Sequence, residues 1–408
     1  MIERLAHECA KISDSIVKHR RYIHENAETG FDTAKTSQYI YKTLCTLGVE
    51  CHLFDGIFVT AEICGKSEGK TVLLRADIDA LPIKEETKLD YACKSGSFHA
   101  CGHDMHAAML LGCAEVLTRM KDCFCGKIRL LFQPAEEILC GAKRAIDMGL
   151  CEGADLAMTL HVMTNTDFPT GTCLLSYDEP CAPSADFFSV EIKGLSCHGS
   201  SPSVGIDPIT CACRIITDLS HIRSYEIGIH DKAVLTVGKI NAGNSANAIP
   251  DKAVFSGTLR CFDEEVRVFY KKRLEEISYG LAGAFRCGCK IEYTSSAPSL
   301  INDRMLLDKT AENLTQLLGK DYVIKIKDTK SKVQGSEDFA YISHLIPSVS
   351  VALAAGSTAD GFTYPLHNEK VTFDEKALIT GCKVFACNAI KILTTKENDN
   401  GTNLERNV

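Results

Sequence analysis

Short apolar runs that alternate with helical patterns most constrain how this chain can fold. The segments KTVLLRADIDALP and KIRLLFQPAEE each begin as a short apolar run and are broken by a proline, Pro82 and Pro134 respectively. Between them, HACGHDMHAAMLLGCAEVLTRM has apolar residues at helical spacing, and GAKRAIDMG follows as a short helix before Gly149. Buried strands that alternate with helices predict an α/β fold, with a mainly parallel sheet and helices on both of its faces.

The pattern changes near Pro183. The segments DFFSVEIKG, KAVLTVGKI and KAVFSGTLRCF alternate apolar and polar residues as half-exposed strands do, and two helical stretches lie among them. After Pro298 the α/β pattern returns. We therefore predict an inserted α+β domain at residues 183–293, and a discontinuous larger domain formed by residues 1–182 and 294–408.

Composition and charge exclude several classes of function. The chain has 408 residues, which is long enough for two domains, and a formal net charge of -8 without clustered Lys or Arg. This balance argues against nucleic acid or a membrane as a partner. No apolar run approaches the roughly 20 residues that span a bilayer. The charged first segment is unlike an export signal, so we expect a cytoplasmic protein whose 21 cysteines are mostly small buried side chains.

Residues with metal-binding chemistry lie where strands of the larger domain should end. Cys101 and His103 stand two apart at a strand-to-helix turn, so a thiolate and an imidazole could bind one metal or bridge two. Glu136 and Glu137 are adjacent carboxylates after an apolar strand, and burying both is costly unless a cation neutralises them or one is protonated.

Each of these features also has an ordinary explanation. A Cys-x-His pair arises easily in a cysteine-rich chain, and exposed carboxylates are favoured at a helix N-terminus by the helix dipole. His161, in LAMTLHVM, and His367, in YPLHNEKVTFDE, are each consistent with a hydrogen-bonded core histidine. Considered one at a time, the residues leave a metal site and a purely structural role both open.

The motifs in this order resemble one known family over residues 20–390. ADIDALP, ACGHDMH, FQPAEE with GAK, LHV, GLSCHGSSP, NAIP, GTLR, GSEDFA and LHNEKVTFDE are similar to those of the N-acyl-amino-acid and auxin-conjugate amidohydrolases. That family belongs to the superfamily of co-catalytic metallo-aminoacylases and carboxypeptidases. The resemblance implies that the larger domain binds metal and catalyses the reaction, and that the inserted domain is a lid that also forms a homodimer.

The resemblance further implies two divalent metal ions per subunit, zinc or manganese. Cys101 would bridge the two ions, in the place of the aspartate that the wider superfamily uses, and it would be held as a thiolate. Asp77 and Asp79 would orient the ligands, although Asp79 is also consistent with a turn-capping role. The implied ligands are Cys101, His103, Glu137, His161 and His367.

The implied reaction is hydrolysis of the amide bond of a small N-acyl amino acid or a related conjugate. Glu136 would be the general base toward a water that the metals activate, and it would pass the proton to the leaving amine. His198 of the other subunit would stabilise the oxyanion, and Asn247 and Arg260 would hold the substrate's carbonyl or carboxylate. From the residues alone, His198 could equally be a surface-loop histidine, and Arg260 a solvated strand residue.

One departure and three alternatives accompany this interpretation. Ser203 stands where the family usually has histidine, which affects the expected contacts of the lid with the substrate. A cysteine hydrolase with Cys101 as nucleophile would leave Glu137, His161 and His367 without a role. A relative that binds without cleaving would lack Glu136 or a ligand, and none is missing. Within the superfamily, the alternative is a carboxypeptidase or dipeptidase.

Overall fold

The computed structural model describes residues 1–178, 180–327 and 335–394, which form helices and strands in alternation. The helices are α1 (Ile2–Lys11), α2 (Ser13–Glu25), α3 (Ala34–Thr46), α4 (His103–Thr118), α5 (Gly141–Asp147), α6 (Pro208–His221), α7 (Glu264–Ala284), α8 (Arg304–Leu318), α9 (Ala340–Ser343) and α10 (Ala377–Thr394). The strands are β1 (Glu50–Phe54), β2 (Phe58–Cys64), β3 (Thr71–Asp77), β4 (Lys127–Gln133), β5 (Leu156–Met163), β6 (Cys173–Ser176), β7 (Ala185–Lys193), β8 (Cys197–His198), β9 (Ala233–Ala242), β10 (Ala248–Ile249), β11 (Lys252–Cys261), β12 (Gly288–Ala297), β13 (Val323–Ile326) and β14 (Ser348–Ala354).

The larger sheet has the strand order β1-β2-β4-β3-β5-β14-β6-β13. Its centre is parallel, because β3 pairs in parallel with both β4 and β5, and β14 pairs in parallel with β5. The strands β1 and β2 are antiparallel additions at one edge. The mainly parallel α/β sheet predicted from the apolar runs is therefore confirmed.

Helices cover both faces of this sheet. Successive side chains along a strand point to opposite faces, so the apolar residues of one strand contribute to two cores. On β3, Val72 and Leu74 are buried in the apolar core that contains α4 and α10. Leu73, between them, is buried in a second core with residues of α5 and α9. Since each central strand is apolar on both faces, it has the continuous apolar run that the sequence shows.

A second, four-stranded sheet has the order β12-β7-β11-β9 and is antiparallel throughout. It has its own core, in which Phe188, Val190 and Phe255 pack with Ile215 of α6 and Leu274 of α7. Its strands span residues 185–297, so the predicted boundary after residue 293 falls inside β12. The sheet follows β6 and precedes α8 along the chain, and the division into domains stays a prediction.

The cysteines and the most apolar helix both belong to the folded interior. Eleven of the 21 cysteines are buried, and all 21 are free thiols. The helix α10 is long and apolar enough to cross a membrane by length and composition alone, but 61% of that stretch is buried inside the fold. Its buried side chains join the core around α4, as expected for a core helix.

The packing of α10 on α4 leads to a prediction about stability. A Cβ on Gly381 of α10 would overlap the sulfur of Met109, and both residues are buried. We expect Gly381→Ala to lower the free energy of unfolding by about 1–3 kcal/mol, through overpacking. Gly283 of α7 is the matched control, because a Cβ there meets nothing within 4 Å. Gly283→Ala should stabilise by about 0.5–1 kcal/mol, because alanine favours helix. Urea unfolding measures both, and a destabilisation of similar size in both variants would contradict this account.

Candidate metal centre

The candidate site lies at the carboxyl edge of the parallel strands. Since β3, β4 and β5 run in parallel, the segments that follow them meet at one edge of the sheet. Asp77 ends β3, Glu136 follows β4 by three residues, and His161 lies near the end of β5. The helix α4 begins at this edge with His103. Residues far apart in sequence are thereby brought together.

The five predicted ligands converge around Cys101. Its Sγ lies 3.5 Å from His161 Nε2 and 3.3 Å from His367 Nε2. His103 Nε2 lies 3.9 Å from Glu137 Oε1, and His367 Nε2 lies 3.6 Å from Glu137 Oε2. Ligand atoms of Cys101, His103 and His161 form one compact group, and those of Cys101, Glu137 and His367 form another. Cys101 is the member common to both groups.

Unpartnered buried atoms indicate that these residues fit a metal. His103 Nε2 and Glu137 Oε1 are buried, and neither has a hydrogen-bond partner among the residues that the structure describes. Leaving such a group without a partner costs about 1–3 kcal/mol. A cation bound between them would satisfy both atoms. Thiolate, imidazole and carboxylate together form a donor set that zinc and similar divalent ions accept.

The electrostatics of the cluster favour added positive charge. Burial, and after it the neighbouring carboxylates of Glu337 and Asp338, raise the pKa of Glu136 well above its ordinary value. Burial also raises the pKa of Glu137 to about 7. Burial opposes a charge on His103, yet Asp77 and other neighbours raise its pKa well above the ordinary value. These raised pKa values favour the protonated forms of His103, Glu136 and Glu137, and a bound cation would supply the positive charge instead.

Two other histidines are kept in the neutral form that binds metals. Burial lowers the pKa of His161 to about 3, and burial also lowers the pKa of His367. His161 Nδ1 donates to the carbonyl oxygen of Val162 at 2.7 Å, which leaves Nε2 directed at Cys101. A neutral imidazole with one nitrogen engaged presents its other nitrogen as a lone pair.

The backbone around the ligands adopts unusual conformations. Gly102, between Cys101 and His103, has φ +87°, and a Cβ there would overlap Val162 Cγ2. Ala135, just before Glu136, has φ +63°, and His367 has φ +65°. Non-glycine residues seldom adopt positive φ, and the cost is of order 1–3 kcal/mol each. The surrounding packing therefore holds the ligand segments in place.

Asp79 orients both the histidine and the pair of glutamates. Its carbonyl oxygen accepts from His103 Nδ1 at 2.9 Å, which leaves Nε2 of that ring facing the cluster. Its carboxylate accepts from the backbone N–H of Glu136 at 3.0 Å and from that of Glu137 at 3.2 Å. The position of the two neighbouring carboxylates thus depends on one buried aspartate.

His106 and Asp77 form a link that sequence reasoning missed. His106 Nδ1 donates to Asp77 Oδ1, and its Nε2 accepts from the backbone N–H of Val162 at 2.8 Å. With both nitrogens engaged, His106 supports the end of β5 next to His161. The only signal in the sequence is the three-residue spacing from His103, which places both rings on one face of α4.

A buried arginine organises the acidic surroundings. The Arg75 side chain donates to Asp77 Oδ2 at 2.7 Å, to Asp338 Oδ1 at 2.6 Å and to Gln133 Oε1 at 2.9 Å. The backbone N–H of Asp338 then donates to Glu136 Oε1 at 3.4 Å. Burial opposes ionisation of Asp77, but the charges of the histidines and of Arg75 outweigh it and hold its pKa well below the usual range. No local pattern in the sequence indicates this network.

The three remaining predicted residues belong to the smaller sheet region. His198 in β8 is exposed and pairs with Ala248 of β10, beside the exposed Asn247. Arg260 in β11 stacks over the ring of Phe187 at 5.6 Å. Its Nη1 is buried and has no hydrogen-bond partner in the described part of the chain. Ser203 lies in an exposed turn. The structure therefore gathers the five predicted ligands and Glu136 in one cluster, and His198, Asn247 and Arg260 lie outside it.

Arg260 lies near one end of the four-stranded sheet, and His198, in the separate two-stranded sheet formed by β8 and β10, follows the other end along the chain. The chain enters this sheet where Ala185 pairs with Ala297, and Arg260 follows Leu259, which pairs with Asp186. His198 comes after the far end of β7, where Lys193 pairs with Lys252. The nine residues of β7 span roughly 26 Å at 3.3 Å per residue.

The fold and the cluster together define a class, a metallohydrolase with a mainly parallel α/β sheet and a second sheet. The model of peptidase family M20/M25/M40 matches residues 73–391, and the chain belongs to this family. This membership confirms the resemblance found in the motifs and the metal-dependent amidohydrolase class that they predicted.

Similar proteins of known name cover nearly the whole chain. The N-acetyl-L-cysteine deacetylase of Bacillus subtilis is 37% identical over 382 residues, which is 93% of this chain and 88% of the relative. The IAA-amino acid hydrolase ILR1-like 2 of Arabidopsis thaliana is 32% identical over 391 residues, 95% of this chain and 87% of the relative. The crystal structure of Bacillus subtilis YXEP, a dinuclear metal binding peptidase of family M20, has a TM-score of 0.77 and 31% identity, with 94% of this chain and 99% of that chain covered.

Proposed function

We propose that this protein is a two-metal amidohydrolase that cleaves N-acyl amino acids to a carboxylic acid and a free amino acid. The observation that carries the proposal is the convergence of the five ligand side chains around Cys101, with Glu136 beside them. The similarity to proteins named for N-acetyl-L-cysteine and for IAA-amino acids supports the substrate class.

The ligands divide into two groups that share one thiolate. Cys101, His103 and His161 would hold one divalent ion, and Cys101, Glu137 and His367 the other. Zinc and manganese are the candidate ions, and the thiolate favours zinc because it is a soft ligand. When bound, the metals supply Lewis-acid chemistry, lowering the pKa of water and polarising the substrate's carbonyl.

The surroundings of Glu136 support its proposed role in moving the proton. It is buried, its Oε1 receives one long hydrogen bond from Asp338, and its Oε2 lies 4.0 Å from His103 Nε2. In the proposed reaction Glu136 takes a proton from water as the oxygen bonds to the amide carbon. It then gives that proton to the amide nitrogen as the carbon–nitrogen bond breaks, which leaves a carboxylic acid and an amine. A short hydrogen bond or direct ligation would make this carboxylate a weaker base.

Arg260 and Asn247 would recognise the parts of the substrate that do not react. The unpartnered Nη1 of Arg260 supports a role in binding an anion, since a guanidinium binds a carboxylate through two parallel hydrogen bonds. Asn247 is exposed next to His198 and would reach the substrate from the same subunit as that histidine, where its side-chain amide could donate to a carbonyl oxygen. A free α-carboxylate and an adjacent amide carbonyl are the groups that an N-acyl amino acid offers.

We further propose that residues 183–293 form a lid and a dimer interface that carries His198 to the partner subunit. The chain enters and leaves the four-stranded sheet at one end of β7, and His198 follows the other end, roughly 26 Å away. This distance favours delivery of His198 to another subunit. The edge strand β9 is largely exposed from Gly238 onward, and an exposed edge can pair with a second copy. Closure of the lid would exclude water from the amide under attack.

The alternatives differ in substrate or in nucleophile. A carboxypeptidase or dipeptidase of the same family would prefer peptides to simple N-acyl amino acids, so a screen of acetyl, benzoyl, fatty-acyl and indole-acetyl amino acids against dipeptides and longer peptides separates the two. A cysteine hydrolase is disfavoured because burial raises the pKa of the Cys101 thiol well above its ordinary value, and a thiol is a poor nucleophile. A cytoplasmic location remains an expectation from composition.

Substituting the two adjacent glutamates separates their roles. Glu136→Gln should keep metal content near the wild-type value and lower turnover by at least ~100-fold, the scale for a lost general base. Glu137→Gln should lose metal, because an amide is a weaker ligand than a carboxylate. Glu50→Gln, at an exposed carboxylate, is the control for the change itself. Metal analysis measures the metal content of each variant, and hydrolysis assays measure its turnover. Full metal retention in both site variants would contradict the assigned roles.

Subunit exchange distinguishes delivery of His198 to the partner from action within its own chain. His198→Ala and Glu136→Gln proteins should each be nearly inactive. A mixed dimer has one intact site, and half of randomly exchanged dimers are mixed, so activity should recover to about a quarter of the wild-type value. Absence of recovery, despite exchange demonstrated with tagged subunits, would refute delivery to the partner.

A further inference from the structure

Two hydrogen bonds join the ring of His198 to Ser200. Its Nδ1 lies 2.8 Å from Ser200 Oγ and 3.2 Å from the backbone nitrogen of Ser200. A backbone N–H can only donate, so Nδ1 is the acceptor of that bond and carries no hydrogen. In a neutral imidazole the single proton then resides on Nε2. The hydroxyl of Ser200 can donate to the same nitrogen lone pair.

The backbone around this ring is held by its own hydrogen bonds. His198 pairs with Ala248, and the N–H of Gly199 donates to the carbonyl oxygen of Asn247 at 2.7 Å. The N–H of Ser201 donates back to the carbonyl oxygen of His198 at 2.9 Å, which closes a turn. A Cβ on Gly199 would approach the carbonyl oxygen of Asn247 to 2.9 Å, so this position favours glycine. The amide of Ser200 is therefore positioned by the turn itself.

We infer that Ser200 is a positioning residue that keeps the proton of His198 on Nε2, where it can be donated to the carbonyl oxygen of an amide substrate. The inference rests on the proposed function, in which His198 stabilises the oxyanion. With the proton on Nδ1, the ring would present a lone pair to an oxygen that is gaining negative charge, and the interaction would be repulsive. Ser200 thus determines whether His198 acts as a donor.

The chain offers variants that separate the hydroxyl from the rest of the turn. Ser200→Ala removes Oγ and keeps the backbone donor, whereas Ser200→Thr keeps both. Ser201→Ala is the matched control, because Ser201 is an exposed neighbour of the same type whose bond to His198 is made by its backbone. An effect confined to Ser200→Ala therefore reports on the Ser200 hydroxyl.

Nitrogen NMR of histidine-labelled protein reads the tautomer directly. We expect the His198 signals, assigned by their loss in His198→Gln, to show a proton on Nε2 and none on Nδ1 at about pH 9, which is above the ordinary pKa of a histidine side chain. Ser200→Ala removes one of the two donors to Nδ1 and keeps the backbone N–H, so it should shift these signals part of the way toward a mixture of tautomers and lower kcat about 3- to 10-fold, with KM nearly unchanged. Ser200→Thr and Ser201→Ala should match the wild type in both measurements.

The outcomes separate failure of this inference from failure of the proposed function. A wild-type His198 with its proton on Nδ1, or signals unchanged in Ser200→Ala, would overturn the inference while the hydrolase proposal stands. A fully active His198→Ala protein would remove the oxyanion role and the inference together, and the metal-dependent reaction would remain. The predicted tautomer together with a selective loss of kcat in Ser200→Ala would support the inference.

Discussion

The buried guanidinium of Arg75 is the interaction on which the rest of the candidate site depends. Fully buried, it joins the end of β3 through Asp77, the end of β4 through Gln133, and a third segment through Asp338. Each acceptor then supports a member of the cluster, because Asp77 holds His106 and Asp338 contacts Glu136. Removing one partner of such a network leaves a buried charge uncompensated, at a cost of about 3–5 kcal/mol. The geometry of the cluster therefore depends on an ion-pair network whose members lie outside the set of five predicted ligands.

This support explains how acidic groups and a thiol remain close together in the interior. Glu136, Glu137 and Cys101 repel one another as anions, and burial raises the pKa of each. His103 Nε2 and Glu137 Oε1, which have no hydrogen-bond partner among the described residues, lie 3.9 Å apart. A pair of divalent cations reverses this balance, because it stabilises the charged forms that burial penalises. In the proposed reaction, Glu136 would lie close to the ions without serving as their ligand, as a base requires.

The central strands and the ligand cluster were predictable from the sequence, whereas the supporting contacts were not. The strands β3 and β4 are continuous apolar runs, and α4 has helical spacing, so local pattern was sufficient. The predicted ligands came from the family resemblance, and the parallel sheet brings the segments that carry Asp77, Glu136 and His161 to one edge. The partners Arg75 and Asp338 are 263 residues apart, and no local pattern indicates such a pair. The predicted domain boundary after residue 293 falls inside β12, because a half-exposed edge strand has a weak hydrophobic pattern.

The measurement that tests the central claim most directly is the metal content of the purified protein, determined together with hydrolysis of N-acetyl amino acids. The account predicts two divalent ions per chain, loss of hydrolysis when a chelator removes them, and recovery when zinc or manganese is restored. Hydrolysis that persists at full rate in a protein shown to be free of metal would contradict it.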